Sequence, residues 1–197
     1  MFARACLAAC GVAAAVCAAF ATPANAGLIT GGSCPGASQA FAQFGDPRYY
    51  VFGANGGLEL GSYGWSLSGG ATVVAGNESF FLHSRDDDSS LYLPKGASAT
   101  TPPTCMETSS TVVRFFVKRD SNLRVQVVER NLLGAIVGIL DVTTVDGTST
   151  WQPSPAVLNL QSLQGLLGVA TVQLRFTALD GPSQVDDVFV DPWGNSD

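Results

Sequence analysis

In the stretch Val169-Ala170-Thr171-Val172-Gln173-Leu174-Arg175-Phe176-Thr177-Ala178, apolar and polar residues alternate. Side chains of an extended chain point to opposite faces in turn, so Val172, Leu174, Phe176 and Ala178 share one face, and Thr171, Gln173, Arg175 and Thr177 the other. A strand of that kind has one wet side and one covered by a facing layer. Residues 112–118 and 123–128 behave similarly: Leu123, Val125 and Val127 share a face, and Asp120-Ser121-Asn122 lies between the two runs as a turn, which predicts a hairpin. Further strands are expected at 48–52, 71–75, 79–83, 90–93, 135–142 and 184–190, separated early on by Asn55-Gly56-Gly57 and Ser68-Gly69-Gly70. Helical periodicity is almost absent. The exception is residues 153–168, a Pro-opened, leucine-rich segment expected to form a turn or two of helix over one end. The fold class is all-β, two antiparallel sheets packed as a sandwich.

Residues 1–26 read as a secretory signal peptide, with Arg4 as the positive region, an apolar stretch over 5–20, and Ala24-Asn25-Ala26 as a small-x-small cleavage site. Cleavage is expected before Gly27, leaving 27–197 as a single domain that is secreted and extracellular. A lipoprotein reading of Leu7-Ala8-Ala9-Cys10 puts the cysteine ahead of most of the apolar stretch that must engage the export machinery. After Phe20 no apolar run approaches the ~18 residues that span a bilayer, so membrane insertion is not expected. The chain carries 10 basic and 16 acidic side chains, a net charge of −6, and Arg4 leaves with the leader. That balance disfavours nucleic acid, which needs a basic footprint to displace counterions.

Cys6, Cys10 and Cys17 also leave with the leader, so Cys34 and Cys105 remain. Two cysteines in an oxidising compartment usually pair, and a Cys34–Cys105 disulfide is expected; two free buried thiols are the alternative. Neither lies near a second cysteine or near His83 in sequence, which gives a zinc site no support.

Val185-Asp186-Asp187-Val188-Phe189-Val190 puts adjacent aspartates in a strand, where they must face opposite ways. If both faces are covered, a carboxylate is buried, at a cost met only by a partner, by hydrogen bonds or by a metal. Oxygen-rich surroundings outside the cell favour calcium. The alternative is an edge strand whose aspartate accepts loop amides.

Taken in order, Asn55-Gly56-Gly57-Leu58-Glu59-Leu60-Gly61, Gly64-Trp65-Ser66-Leu67-Ser68-Gly69-Gly70, Ser90-Leu91-Tyr92-Leu93 and Val185-Asp186-Asp187-Val188 resemble galactose-binding-like jelly rolls, which include many bacterial carbohydrate-binding modules. The resemblance implies a jelly-roll sandwich in which Glu59 and Asp186, matched by position, help hold a structural calcium. Arg85-Asp86-Asp87-Asp88-Ser89 stands where such families add further ligands; it is richer in charge, and either supplies one or is a solvated loop, the solvated loop being favoured. It lacks the EF-hand spacing. The block Gly76-Asn77-Glu78-Ser79-Phe80-Phe81-Leu82-His83, with Thr101-Pro102-Pro103-Thr104-Cys105 and Arg114-Phe115-Phe116, is similar to a group of uncharacterised secreted bacterial proteins.

A sugar site needs rings exposed as a stacking platform. Candidates are Tyr49, Tyr50, Tyr92, Trp65, Trp151 and Trp193. Trp65 and Trp151 read as core plugs, Trp193 as a cap on the sandwich end, and one of Tyr49 and Tyr50 is expected to be exposed. His83 is the one histidine, no Gly-x-Ser-x-Gly elbow presents a nucleophile, and no spacing singles out a carboxylate pair. No enzyme is expected. The leading reading is a secreted binding module for a glycan or other surface polymer; a structural or adhesive domain contacting protein is second, and a carboxylate-pair hydrolase third. Ligand identity and oligomeric state are not legible.

Overall fold

The computed structural model describes residues 34, 36–105, 110–118, 121–155, 159–161 and 169–193; the signal peptide expected at 1–26 lies outside them. Twelve strands are described: β1 (Val51–Phe52), β2 (Ser66–Ser68), β3 (Thr72–Ala75), β4 (Ser89–Leu93), β5 (Ser98–Thr100), β6 (Ser110–Lys118), β7 (Asn122–Arg130), β8 (Ile136–Asp146), β9 (Gln152–Pro153), β10 (Asn159–Gln161), β11 (Thr171–Ala178) and β12 (Ser183–Asp191). They form two antiparallel sheets. One runs β10-β6-β12-β4-β3, with β1 also on β12 and β9 also on β6; the other runs β2-β5-β11-β7-β8.

The alternation in β11 does what its sequence requires. Val172, Leu174, Phe176 and Ala178 are buried against Val113, Phe115, Val117, Val185 and Val190 of the facing sheet. Each fully buried side chain of this size contributes about 1.5–3 kcal/mol relative to exposure. Phe176 meets Phe115 edge to face at 4.9 Å and lies 6.3 Å from Trp65.

The seven-stranded sheet is covered on its outer face as well. Phe41, Tyr50, Val112, Phe116 and Phe189 form a second cluster there, with Phe44, Phe52, Leu82 and Trp151 packed on it. The segment carrying Phe41 is tied by the expected Cys34–Cys105 disulfide, whose Cα atoms are 5.9 Å apart, to the chain that leaves β5.

Three expectations need correction. β6 and β7 are not a hairpin: they lie in opposite sheets. The polar residues of the turn bond across the sandwich, Ser121 Oγ donating to Pro182 O at 2.8 Å and the Asn122 amides to the Asp180 carboxylate, so the chain arches over instead of doubling back. Residues 79–83 are loop, because a side-chain carboxylate, described below, takes their amides in place of a neighbouring strand. The segment expected to coil at 153–168 supplies strands β9 and β10 in its described parts, and the rest lies outside the described residues.

Asn55 and the glycines after it also have clear work. Gly56 N–H donates to Gly53 O, while Val188 N–H donates to Gly56 O, and a Cβ at Gly56 would stand 2.8 Å from Val188 O. Only glycine lets this turn press so closely on β12.

Candidate functional site

At Asp186 the register of β12 on β6 shifts before resuming at Phe189, and Asp187 takes a left-handed φ of 47°. A bulge of this kind adds a residue and re-aims side chains. Both aspartates are fully buried, as expected of adjacent residues in a strand covered on both faces.

Over this bulge lies the loop at residues 76–88, linking β3 to β4, and carboxylates hold it. Asp186 Oδ2 accepts the Glu78 N–H at 2.8 Å and its Oδ1 the Asp187 N–H at 2.8 Å. Glu78, itself buried, accepts the Leu82 N–H at 2.7 Å with Oε1 and the Phe80 N–H with Oε2. Asp187 Oδ2 accepts the His83 N–H at 3.3 Å. His83 Nδ1 lies 2.8 Å from Asp87 Oδ2, and the imidazole stacks on Phe52 at 3.8 Å, tilted by 7°. At the loop's end Glu59 Oε1 accepts both the Asp88 and Ser89 N–H groups at 3.0 Å.

Crowding shifts these acids. Burial, followed by the neighbouring Asp187 charge, pushes Asp186 up to about 9; burial, followed by the charges of Glu78 and Asp87, pushes Asp187 up to about 7. Burial also raises Glu78, against the pull of the Leu82 and Phe80 amides.

What the clamp presents is a pair of rings. Phe80 is 41 % and Phe81 48 % exposed, and with Arg85 they line an open cavity of about 490 Å³. Phe80 is braced from beneath by Phe44 at 5.1 Å and Phe116 at 5.4 Å. Phe81 stands in the left-handed region at φ 51°, a conformation that costs free energy and persists where surrounding bonds impose it.

The ring candidates read from sequence fall elsewhere. Trp65 is a core plug, its Nε1 donating to Asn55 O at 2.9 Å. Tyr50 is buried and Tyr49 exposed, as expected of that pair. Trp151 is half-buried beside Lys118, and Trp193 is half-buried near the last strand. Phe80 and Phe81 were masked by their place in an apparent strand; the Asn77-Glu78-Ser79 polar interruption was the available signal.

Glu59 and Asp186, on which calcium was expected, both act as acceptors for backbone amides. Among the described residues, the His, Cys, Asp and Glu side chains that gather in threes or more with ligand atoms within 4.8 Å are His83, Asp87 and Asp187, a group that includes neither Glu59 nor Asp186.

No protein-family model and no curated protein matches the chain. Among solved structures, the enzymatically active domain of bacteriophage CBA120 tailspike protein 4 superposes with a TM-score of 0.52 and 14 % identity, over 70 % of this chain and 20 % of that one. The CBM22-1–GH10 modules of Clostridium thermocellum endo-1,4-β-D-xylanase 10B, complexed with xylohexaose, give 0.51 and 13 %, over 71 % and 28 %. The likeness is one of fold, a jelly-roll sandwich of two antiparallel sheets. The CBM22-1 xylan-binding domain of Paenibacillus barcinonensis is a further match, at 0.45 and 14 %, over 68 % of the jelly roll described here and 88 % of that chain. The jelly roll thus spans well under a third of the first two chains it matches.

Proposed function

We propose that this jelly roll is a secreted, non-catalytic module that binds a glycan at the opening formed by Phe80, Phe81 and Arg85. The observation that carries the reading is the pair of exposed rings, held by buried carboxylates, beside a cationic side chain in a cavity of about 490 Å³. Ring faces stack on the apolar faces of sugars, while a guanidinium donates to hydroxyl or carboxylate oxygens. The outer face of the five-stranded sheet is a weaker candidate because its polar groups bond one another: Gln126 Nε2 to Asp141 Oδ1 at 2.9 Å, Arg130 Nε to Gln173 Oε1 at 2.6 Å, and Arg175 Nε to Thr100 Oγ1 at 3.2 Å. Affinity electrophoresis through gels containing xylan, other plant polymers or bacterial wall polymers tests the reading. Retardation by at least one supports it, and free migration through all of them rejects it. Xylan comes first because the xylanase structure holds xylohexaose.

A second reading, an adhesive domain contacting protein, is favoured by one feature. The β7–β8 hairpin exposes Leu132, Leu133, Ile136, Val137 and Ile139, an apolar strip along an edge strand. Sedimentation equilibrium across a hundredfold concentration range would then give a mass that rises with concentration, and that falls back to monomer in Leu133→Ser with Ile139→Thr.

A further inference from the structure

We propose that His83, Asp87 and Asp187 form a binding site for a zinc-type divalent transition-metal ion that pins the ring-bearing loop to the last strand. Two of the donors sit four residues apart on the loop at residues 76–88, and the third projects from the bulge of β12 beneath it. Their ligand atoms all lie within 4.8 Å of one another, close enough for small side-chain adjustments to bring them onto one ion.

A second, independent observation points to a ligand. Asp187 is fully buried and its Oδ1 has no hydrogen-bond partner, although its Oδ2 accepts from the His83 backbone. An orphaned carboxylate oxygen in the interior is costly, and a cation is what relieves that cost. The opposite wall is a glycine. A Cβ at Gly57 would lie 3.0 Å from Asp187 Oδ1 and 3.8 Å from Asp87 Oδ2, so any side chain there would intrude on the space between the two carboxylates.

The donor set selects the metal. Calcium takes six to eight oxygens, whereas one imidazole nitrogen with two carboxylates suits zinc and its first-row neighbours, with a fourth position left for water. His83 is positioned for the role by its stack on Phe52, and its side chain is 40 % exposed, which gives the ion a route from solvent. If Nδ1 is the donor, the hydrogen bond it now shares with Asp87 Oδ2 is replaced by two bonds to the metal, and any proton between them goes to solvent.

The inference does not rest on glycan binding, and its test contains no glycan. The mature chain, stripped with chelator and dialysed, is titrated with Zn²⁺ and, separately, with Ca²⁺, by calorimetry and by thermal melting. The expected result is one Zn²⁺ per chain with a raised Tm, a smaller or absent response to Ca²⁺, and at least a tenfold loss of Zn²⁺ affinity in both Asp187→Asn and His83→Phe. The phenylalanine keeps the stack on Phe52, so His83→Phe reports on ligation even if Asp187→Asn fails to fold. No Zn²⁺ response in the wild type, unchanged Zn²⁺ affinity in His83→Phe, or a response to Ca²⁺ stronger than to Zn²⁺ would each overturn the proposal.

Discussion

The Arg114 guanidinium lies 3.0 Å from Asp46 Oδ2, with both side chains almost sealed from solvent on the outer face of the seven-stranded sheet. Arg114 also donates to Ser154 O at 2.7 Å and covers the Phe41 ring at 4.3 Å, and Asp46 accepts from Tyr50 Oη at 2.7 Å. Removing one member of such a pair leaves the other charge buried and uncompensated. Arg114→Ala is expected to lower unfolding stability by about 3–5 kcal/mol, measured by denaturant titration at neutral pH; a loss within about 0.5 kcal/mol, as at an ordinary surface site, would contradict the account.

The same carboxylate sets an acid limb. Burial pushes Asp46 upward, but hydrogen bonds from Tyr50, the Arg48 N–H and Arg114 outweigh it and hold the group below its ordinary 3.8. A depressed folded-state value means that this stabilisation is present in full above the unfolded value and is lost as pH falls through the folded one. Stability is therefore expected to drop below about pH 4 in the wild type, and less steeply in Asp46→Asn. Parallel acid limbs would show that Asp46 is not responsible.

The Cys34–Cys105 bond closes a sequence separation of 71 residues, for which the chain-entropy model gives an upper figure of about 4 kcal/mol. Reduction, or the double change Cys34→Ser with Cys105→Ser, is expected to lower Tm markedly while leaving far-ultraviolet circular dichroism β-like at room temperature. A Tm indifferent to reductant would mean that the bridge contributes nothing.

Glu78 clamps the ring loop, and hydrogen bonds to a charged acceptor contribute about 1.5–3 kcal/mol each. Glu78→Ala is expected to speed amide exchange at Leu82 at least tenfold and to weaken retention on whichever polymer binds. Unchanged exchange at Leu82 would show that the loop keeps its shape without the clamp.

The architecture was legible because burial on one side imposes a two-residue rhythm, which β11 and β7 carry plainly. β6 hid its sheet membership: with Val112 and Phe116 on one face, and Val113, Phe115 and Val117 on the other, it is apolar on both sides, and rhythm cannot say which neighbour it joins. The short strands β2, β5, β9 and β10 have two or three residues each, too few for periodicity to register. At the site, the adjacent aspartates announced a buried charge, but the bulge that re-aims Asp187 is a backbone event with no local signature. Phe80-Phe81-Leu82 looked like a strand because hydrophobicity and β propensity agree there; the short-range capture of the Phe80 and Leu82 amides by Glu78, whose own N–H is anchored on distant Asp186, decides otherwise.

Calorimetric titration of the wild-type 27–197 chain, Phe81→Ala and Arg85→Ala with xylohexaose and a set of soluble glycans tests the glycan-binding claim most directly. The account predicts saturable binding of at least one glycan, weakened at least tenfold by Phe81→Ala with Tm unchanged, and weakened also by Arg85→Ala. Equal affinity in all three proteins, or no heat from any glycan, would contradict it.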